Sequence, residues 1–357
     1  MTPVAGMIAE YNPLHGGHSY HIDETRRRLG PDCAVVAVMS GHVVQRGDVP
    51  VLTKFARAGM AVRAGADLVF ELPAACALAG AERFARAGVS ILRRLGVVTH
   101  LSFGAERADI GLLQAIASRV PEAYPKHLSL ARAYPTLLPE YAEVFTPNNI
   151  LAIEYLRAIR AQDCPFEPIA IPRIGGGHDS GGPYSASEIR RQWLEDYDKI
   201  SDETGGHCPI RADRAAMLSY LRRLLPEDFE ALPEMGGGLH MRLYEAARKA
   251  ASWEELIALA KTRRFTAARL RRAYFCAFFG ITEADAVNTL NHPPIRLLAI
   301  GWRGRELLGR LQTPILARAA AHQDVLALES RITDQLALWM PQPQAAGMEW
   351  TAKMVKV

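Results

Sequence analysis

The chain has 357 residues, 49% hydrophobic and 22% charged, with a formal net charge of +4. That length accommodates two domains with real cores, and that composition is the one of a soluble globular protein. No apolar run nears the ~20 residues of a membrane span, and the N-terminus lacks a basic-then-apolar signal pattern. The five cysteines, Cys33, Cys76, Cys164, Cys208 and Cys276, contain no C-x-x-C pair. This excludes a disulfide framework and a structural zinc site, and it points to the reducing cytoplasm.

The first predicted strand covers residues 4–9, an apolar run with flanking Gly and Pro. Asn12-Pro13 breaks the backbone, because a residue before proline is pushed out of the helical region. His15-Gly16-Gly17-His18 then leads into a helix predicted over 19–29. A strand, a two-glycine turn and a helix start with two imidazoles can present N–H groups and a helix dipole to a phosphate. Asn-Pro and Gly-Gly are also ordinary turn chemistry.

Further strands are predicted at 33–39, 68–73, 97–103 and 167–171, and helices at 55–64, 82–96 and 149–161. This alternation predicts an α/β fold, an open parallel sheet with right-handed crossovers. Ligands of such sheets sit outside the carboxyl ends of the strands. The chemistry-bearing residues do follow predicted strands: His15 and His18, Ser40-Gly41-His42, Gly104-Ala105-Glu106, and Arg173. Arg46 and Lys54, beside the second of these groups, are candidates to offset phosphate or carboxylate charge.

Residues 173–182 are glycine-rich, as a loop that approaches a ligand, moves as a lid, or merely connects. Ser185-Ala186-Ser187-Glu188-Ile189-Arg190 follows at a predicted helix start. Ser185 with Glu188 fits a capping box, and Ser187 and Arg190 are candidate phosphate contacts.

The character changes near residues 200–210. Helical periodicity then dominates, with helices predicted at 212–225, 239–251, 253–262 and 266–279. The division predicted is 1–205 for the α/β domain and 206–357 for a mostly helical one; the first is the candidate phosphate-binding part. Residues 1–200 carry 21 basic and 21 acidic side chains, and residues 201–357 carry 21 and 17. The excess concentrates in Lys261, Arg263, Arg264, Arg269, Arg271 and Arg272, with Phe265 among them. A basic run beside an aromatic suits a phosphate backbone, although a solvated helix face is the plainer reading. Arg303 and Arg305 would extend the patch if the fold brings them near.

His-x-Gly-His directly after a first strand resembles the ATP signature of the adenylyl-transferring nucleotidyltransferases, and Ser187-x-Ile189-Arg190 their second ATP motif. Several segments together resemble one family, the tRNA(Met) cytidine acetate ligases. They are residues 10–18, the block from Ser40 to Asp48, residues 65–73, Phe103 to Glu106, Asn148 to Leu151, and Lys261 to Thr266. The resemblance covers nearly the whole chain. It departs at Leu14, Gly16 and His42, where the family pattern has Phe, Asn and Asn, and no Tyr precedes His178-Asp179.

The resemblance implies a Rossmann-like nucleotidyltransferase domain followed by a helical tRNA-binding domain. It implies a ligase that activates acetate with ATP and acetylates N4 of the wobble cytidine of elongator tRNA(Met). Carried over by residue, the ATP site comprises Met7, Ile8, Ala9, Glu10, Tyr11, Asn12, Pro13, Leu14, His15, Gly16, Gly17, His18, Ser19 and Tyr20. Gly104, Asn149 or its neighbour Asn148, and Arg173 complete it. His15 and His18 are the expected catalytic pair, acting as donors to phosphate oxygens, with no metal bound by the protein itself. Mg²⁺ is expected with the triphosphate on chemical grounds. The rival readings are a small-molecule nucleotidyltransferase and a non-catalytic tRNA- or nucleotide-binding module.

Overall fold

In the computed structural model, which describes residues 2–121, 130–173, 186–195 and 209–357, one seven-stranded sheet organises the chain. The strands are β1 (Val4–Ala9), β2 (Ala34–Ser40), β3 (Leu68–Leu72), β4 (His100–Ala105), β5 (Glu167–Pro172), β6 (Leu297–Ile300) and β7 (Val355–Lys356). Their order is β5-β4-β1-β2-β3-β6-β7. The first five pair in parallel, β6 is antiparallel to β3, and β7 runs parallel to β6. Val35, Val36, Ala37 and Val38 are fully buried, as expected of a strand covered on both faces. The chain adds strands on one side of β1, then crosses to the other. The switch point therefore lies between β1 and β4, where open α/β sheets hold their ligands.

The helices Gly16–Leu29, Lys54–Arg63, Ala81–Leu95 and Pro147–Ala161 fall within a few residues of their predicted bounds. From residue 209 the described chain is mostly helical, including Arg214–Leu221, Leu239–Lys249, Trp253–Ala260 and Ala267–Phe279. Periodicity did not mark Ile110–Arg119, Glu283–Asn291, Ala327–Leu338, or the return of β6 and β7 to the sheet. Four apolar residues and a two-residue strand are too short to show a period. One core cluster runs from Leu68 and Phe70 of the sheet to Leu243, Tyr274 and Phe275 of the later helices. The glycine-rich residues 174–182, Ser185 and the predicted boundary stretch 200–208 lie outside the described residues.

A buried ionic cluster ties the late segments to the early ones. Lys54 is wholly buried and donates to Glu71 (2.6 Å) and Glu349 (2.9 Å). Arg296 donates to Glu71 (3.2 Å) and also contacts Glu349. Two cations thus face two carboxylates, which is the condition for burying charge without a large penalty. Of the two charges that Lys54 is a candidate to offset, phosphate or carboxylate, it meets carboxylates of the protein itself, and its enclosed ammonium offers nothing to a phosphate.

Candidate active site

The turn after β1 is built by the two histidines themselves. His15 is the N-cap of the helix Gly16–Leu29, with extended backbone (φ −147°, ψ 174°). Its Nδ1 accepts the Gly17 N–H (3.0 Å), and His18 Nδ1 accepts the His15 N–H (3.3 Å). This is a reciprocal capping box made of imidazoles, where hydroxyl and carboxylate side chains usually serve. The rings lie 4.0 Å apart between centroids, and Tyr11 meets His18 edge-on at 5.0 Å. Tyr11 itself is buried with a left-handed backbone (φ 46°), which swings the chain from the strand into the Asn12-Pro13 turn.

Those caps determine the protonation of the pair. An Nδ1 that accepts an N–H carries no proton, so a neutral ring holds its proton on Nε2. Burial, and then the nearby Arg173 and Arg190 charges, push His15 down to about 4. Burial, reinforced by His15, His21 and Arg173, pushes His18 well below the ordinary imidazole value. Both rings are therefore neutral near pH 7, and each keeps one Nε2–H as its donor. A third imidazole, His21, is also pushed down to about 4 by burial and Arg173. It hydrogen-bonds Ser102 of β4 at 2.9 Å, and Thr25 bonds the same hydroxyl at 2.7 Å. The spacing of three along 15, 18 and 21 is a sequence signal that the motif alone does not include.

The other expected ATP residues sort by what they touch. Met7 is buried in β1, and Ile8, Ala9 and Leu14 are partly buried against the core. Asn12 accepts the Val51 N–H (2.8 Å), and its carbonyl accepts from Arg190 (2.5 Å). Arg190 also donates to Ser187 (3.0 Å), which brings both members of the later motif to the β1 turn. Gly104 pairs with Ile171 across β4 and β5, and Arg173 leaves β5 with its N–H on Ala105 (3.1 Å). Ser19 and Tyr20 lie half-buried on the first helix turns, and Gly16 is exposed with open space beside it. A larger side chain would fit there, so nothing steric requires glycine at this position.

The two carboxylates of the rim are turned aside. Glu106 accepts from Thr146 (2.8 Å), Asn148 (2.5 Å) and the Asn149 N–H (3.2 Å). Asn149 is buried, bonding the Val144 carbonyl (2.8 Å) and the Arg107 N–H (3.2 Å). Its amide is therefore a loop fastener. Glu10 accepts the Gln45 N–H at 2.6 Å. Arg57, fully buried, donates to the carbonyls of Glu10 (2.5 Å), Ser40 (3.0 Å), Leu52 (3.1 Å) and Gly41. It pins the ends of β1 and β2 together, and nothing in its alanine-rich helical stretch marks it for that work. Around the histidines this leaves Arg173, Arg190 and neutral N–H donors, an arrangement that stabilises negative charge on phosphate oxygens.

His42 is buried, and its Nδ1 lies 2.9 Å from the Thr333 hydroxyl. Thr333 in turn donates to Glu349 (2.6 Å). A histidine where the family pattern has Asn is thus held by the late helix Ala327–Leu338.

Of the basic run, Lys261, Arg263 and Arg264 are exposed. Arg271 and Arg272 are half-buried and donate to the Arg46 (3.2 Å) and Gln45 (3.1 Å) carbonyls. This brings the helix Ala267–Phe279 directly against the loop after β2. Arg269 is corrected: it is 4% exposed, donates to the Glu234 carbonyl and sits over Phe265. Its guanidinium supports the helix from inside and does not face a polyanion. Arg303 does not extend the patch, since it donates to Pro31 (3.0 Å) at the amino ends of β2 and β3, on the opposite rim.

Comparison with known proteins matches this architecture. Residues 2–349 match the family model described as HIGH Nucleotidyl Transferase. A protein of Syntrophomonas wolfei named tRNA(Met) cytidine acetate ligase is 32% identical, over 99% of both chains. One of the same name from Syntrophotalea carbinolica is 35% identical, covering 93% of this chain and 86% of its own. Two crystal structures of Thermotoga maritima TmcAL, each 26% identical, superpose over 99% of both chains. The apo form gives a TM-score of 0.89, and the form bound with alpha-thio ATP gives 0.87.

Proposed function

Because this chain belongs to the tRNA(Met) cytidine acetate ligase family within the HIGH nucleotidyl transferases, we propose that it acetylates N4 of the wobble cytidine of elongator tRNA(Met) through acetyl-adenylate. The observation that carries this reading is the neutral, Nδ1-capped imidazole pair, which presents two Nε2–H donors at the switch point of the sheet.

An acetate oxygen attacks the α-phosphorus of ATP, the bond to the bridging oxygen breaks, and pyrophosphate leaves. Charge grows on the α-phosphate oxygens and on the leaving group. His15 and His18 donate to those oxygens, and Arg173, Arg190 and Ser187 hold the charge that departs. No covalent nucleophile on the protein is required. The cytidine N4 amine then attacks the acetyl carbonyl, and AMP leaves with the bonding pair while the amine loses a proton. An anticodon loop offers that base unpaired, so no duplex has to open.

Magnesium fits this site as part of the nucleotide. Glu10 and Glu106 are occupied by loop N–H and amide donors, and no group of three His, Cys, Asp or Glu among the described residues forms a cage. The ion would ride on phosphate oxygens and water. We assign residues 1–205, together with the returning strands β6 and β7, to adenylate formation and the helical part of 206–357 to tRNA, with Lys261, Arg263, Arg264, Arg271 and Arg272 facing its backbone. Among the described residues no helix is long and apolar enough to cross a membrane, and the four cysteines there are free, which accords with the cytoplasm.

The deciding experiment mixes protein, ATP, Mg²⁺, radiolabelled acetate and unmodified tRNA(Met). Label entering the tRNA as N4-acetylcytidine supports the proposal, and its absence with folded protein overturns it. His18→Ala should abolish adenylate formation, and unchanged turnover would remove His18 from its role.

A further inference from the structure

The loop Gln45-Arg46-Gly47-Asp48 is gripped from two sides. From the nucleotide rim, the Glu10 carboxylate accepts the Gln45 N–H at 2.6 Å. From the helical side, Arg271 and Arg272 donate to the Arg46 and Gln45 carbonyls, and Arg214 pairs with Asp48 at 2.6 Å. Arg214 also stacks over Trp253 (4.5 Å) and Phe275 (5.1 Å), so the grip reaches the core of the later helices. Between these holds, Gly47 lies with φ +73° directly on the helix backbone. A Cβ there would stand 2.4 Å from the Arg272 nitrogen and 2.7 Å from the Arg271 carbonyl carbon. Main-chain atoms cannot swing away as a side-chain tip can, so any larger residue must part the loop from the helix.

We infer that this loop is the joint that sets the basic helix Ala267–Phe279 at a fixed distance from the adenylate, with Gly47 and Asp48 as positioning residues for acetyl transfer. The inference rests on the function proposed above and adds to it. Acetate activation needs only the β1 turn and its arginines. Transfer also needs the cytidine amine to arrive at the acetyl carbonyl, and the tRNA that carries it is gripped on the helix. The two half-reactions therefore depend differently on this joint. Restoring ordinary van der Waals separation at about 3.4 Å requires a shift of roughly 1 Å. A shift of that size in a reacting group costs on the order of 10²-fold in rate.

Gly47→Ala separates the half-reactions. Acetate-dependent exchange of labelled pyrophosphate into ATP reads activation, and single-turnover transfer from preformed adenylate reads the second step. The expected result is transfer slowed by roughly 10- to 100-fold, with exchange and KM for ATP unchanged and KM for tRNA little altered. Exchange and transfer falling in parallel, or neither falling, overturns the inference. Asp48→Asn, which keeps the shape and releases Arg214, decides the matter if the alanine variant fails to fold. Its transfer-to-exchange ratio should fall a few-fold, and an unchanged ratio overturns the joint. Wild-type protein that exchanges pyrophosphate yet never labels tRNA would overturn the proposed function along with it. Labelled wild type with both half-reactions matched in the variants would overturn the joint alone.

Discussion

His18 and His15 cap each other: the Nδ1 of His18 accepts the main-chain N–H of His15, while His15 Nδ1 accepts that of Gly17. One turn of backbone chemistry thereby selects the tautomer of both rings. The same hydrogen bonds that start the helix leave Nε2–H as the donor available to a ligand. Structural and chemical roles occupy opposite nitrogens of one side chain and can be separated by substitution.

His15→Asn is the substitution that separates them. Asn is a favoured N-cap and can take over the Gly17 N–H, but it has no group where Nε2–H stood. Melting temperature should stay within a few degrees, while adenylate formation should fall about 10²- to 10³-fold, the usual loss for one donor to a developing charge. A parallel loss of melting temperature would mean that the cap, and not the donor, is what the substitution removes.

The depressed imidazoles make stability depend on pH in a stated direction. His15 and His21 fall to about 4 in the folded chain from an ordinary 6.5. Between those values the unfolded chain binds protons that the folded chain refuses. Stability is thus fully present above about pH 6.5 and declines as pH falls toward 4. Glu154 and Glu329, both raised to about 7 by burial, act in the opposite direction over the same range. Urea unfolding of the wild type and of His15→Asn, followed from pH 7 to 5, isolates the imidazole: the wild type should lose more stability on acidification than the variant. Equal losses would contradict the neutral assignment.

Removal of Arg263 and Arg264 addresses the polyanion surface. Both are exposed, and the Arg264 N–H is taken by Thr262 within the same loop. Their replacement by Ala should weaken tRNA binding and reduce the slope of log affinity against log salt by about 1 for each phosphate left without its arginine. ATP affinity should hold. An equal loss of ATP binding would place these residues in the nucleotide site.

The buried cluster supplies a stability test. Glu349→Ala leaves Lys54 and Arg296 facing Glu71 with one carboxylate missing. Stripping one partner from buried charges costs about 3–5 kcal/mol. Denaturant unfolding should show a loss of that order, and the combined Lys54→Met, Glu349→Met variant should recover part of it. Equal instability of single and double variants would show that the charges are not coupled.

Much of this molecule is written locally. The strands at 4–9, 34–40 and 68–72 are apolar runs, and a run buried on both faces needs no partner to be recognised. The turn at Asn12-Pro13 and the helix after it follow from main-chain sterics and capping, which act within a few residues. The two histidines were legible for the same reason, since their roles begin with bonds to neighbours no more than three positions away.

What only the tertiary structure decided involves partners far apart in the chain. The side-chain type of Lys54 or Arg269 says that it carries charge, and nothing in either neighbourhood says whether that charge meets water. Lys54 is enclosed because Glu349 reaches it from 295 positions away. Arg269 left the basic surface because the fold turned it inward, and Arg303 never joined it because the fold carried it to the opposite rim. The packing of Gly47 on the backbone of Arg271 and Arg272 belongs to the same class. The first stretch was readable as a strand, a turn and a helix start from its own residues. The joint that brings a second substrate to it exists only once two distant pieces of chain are packed together.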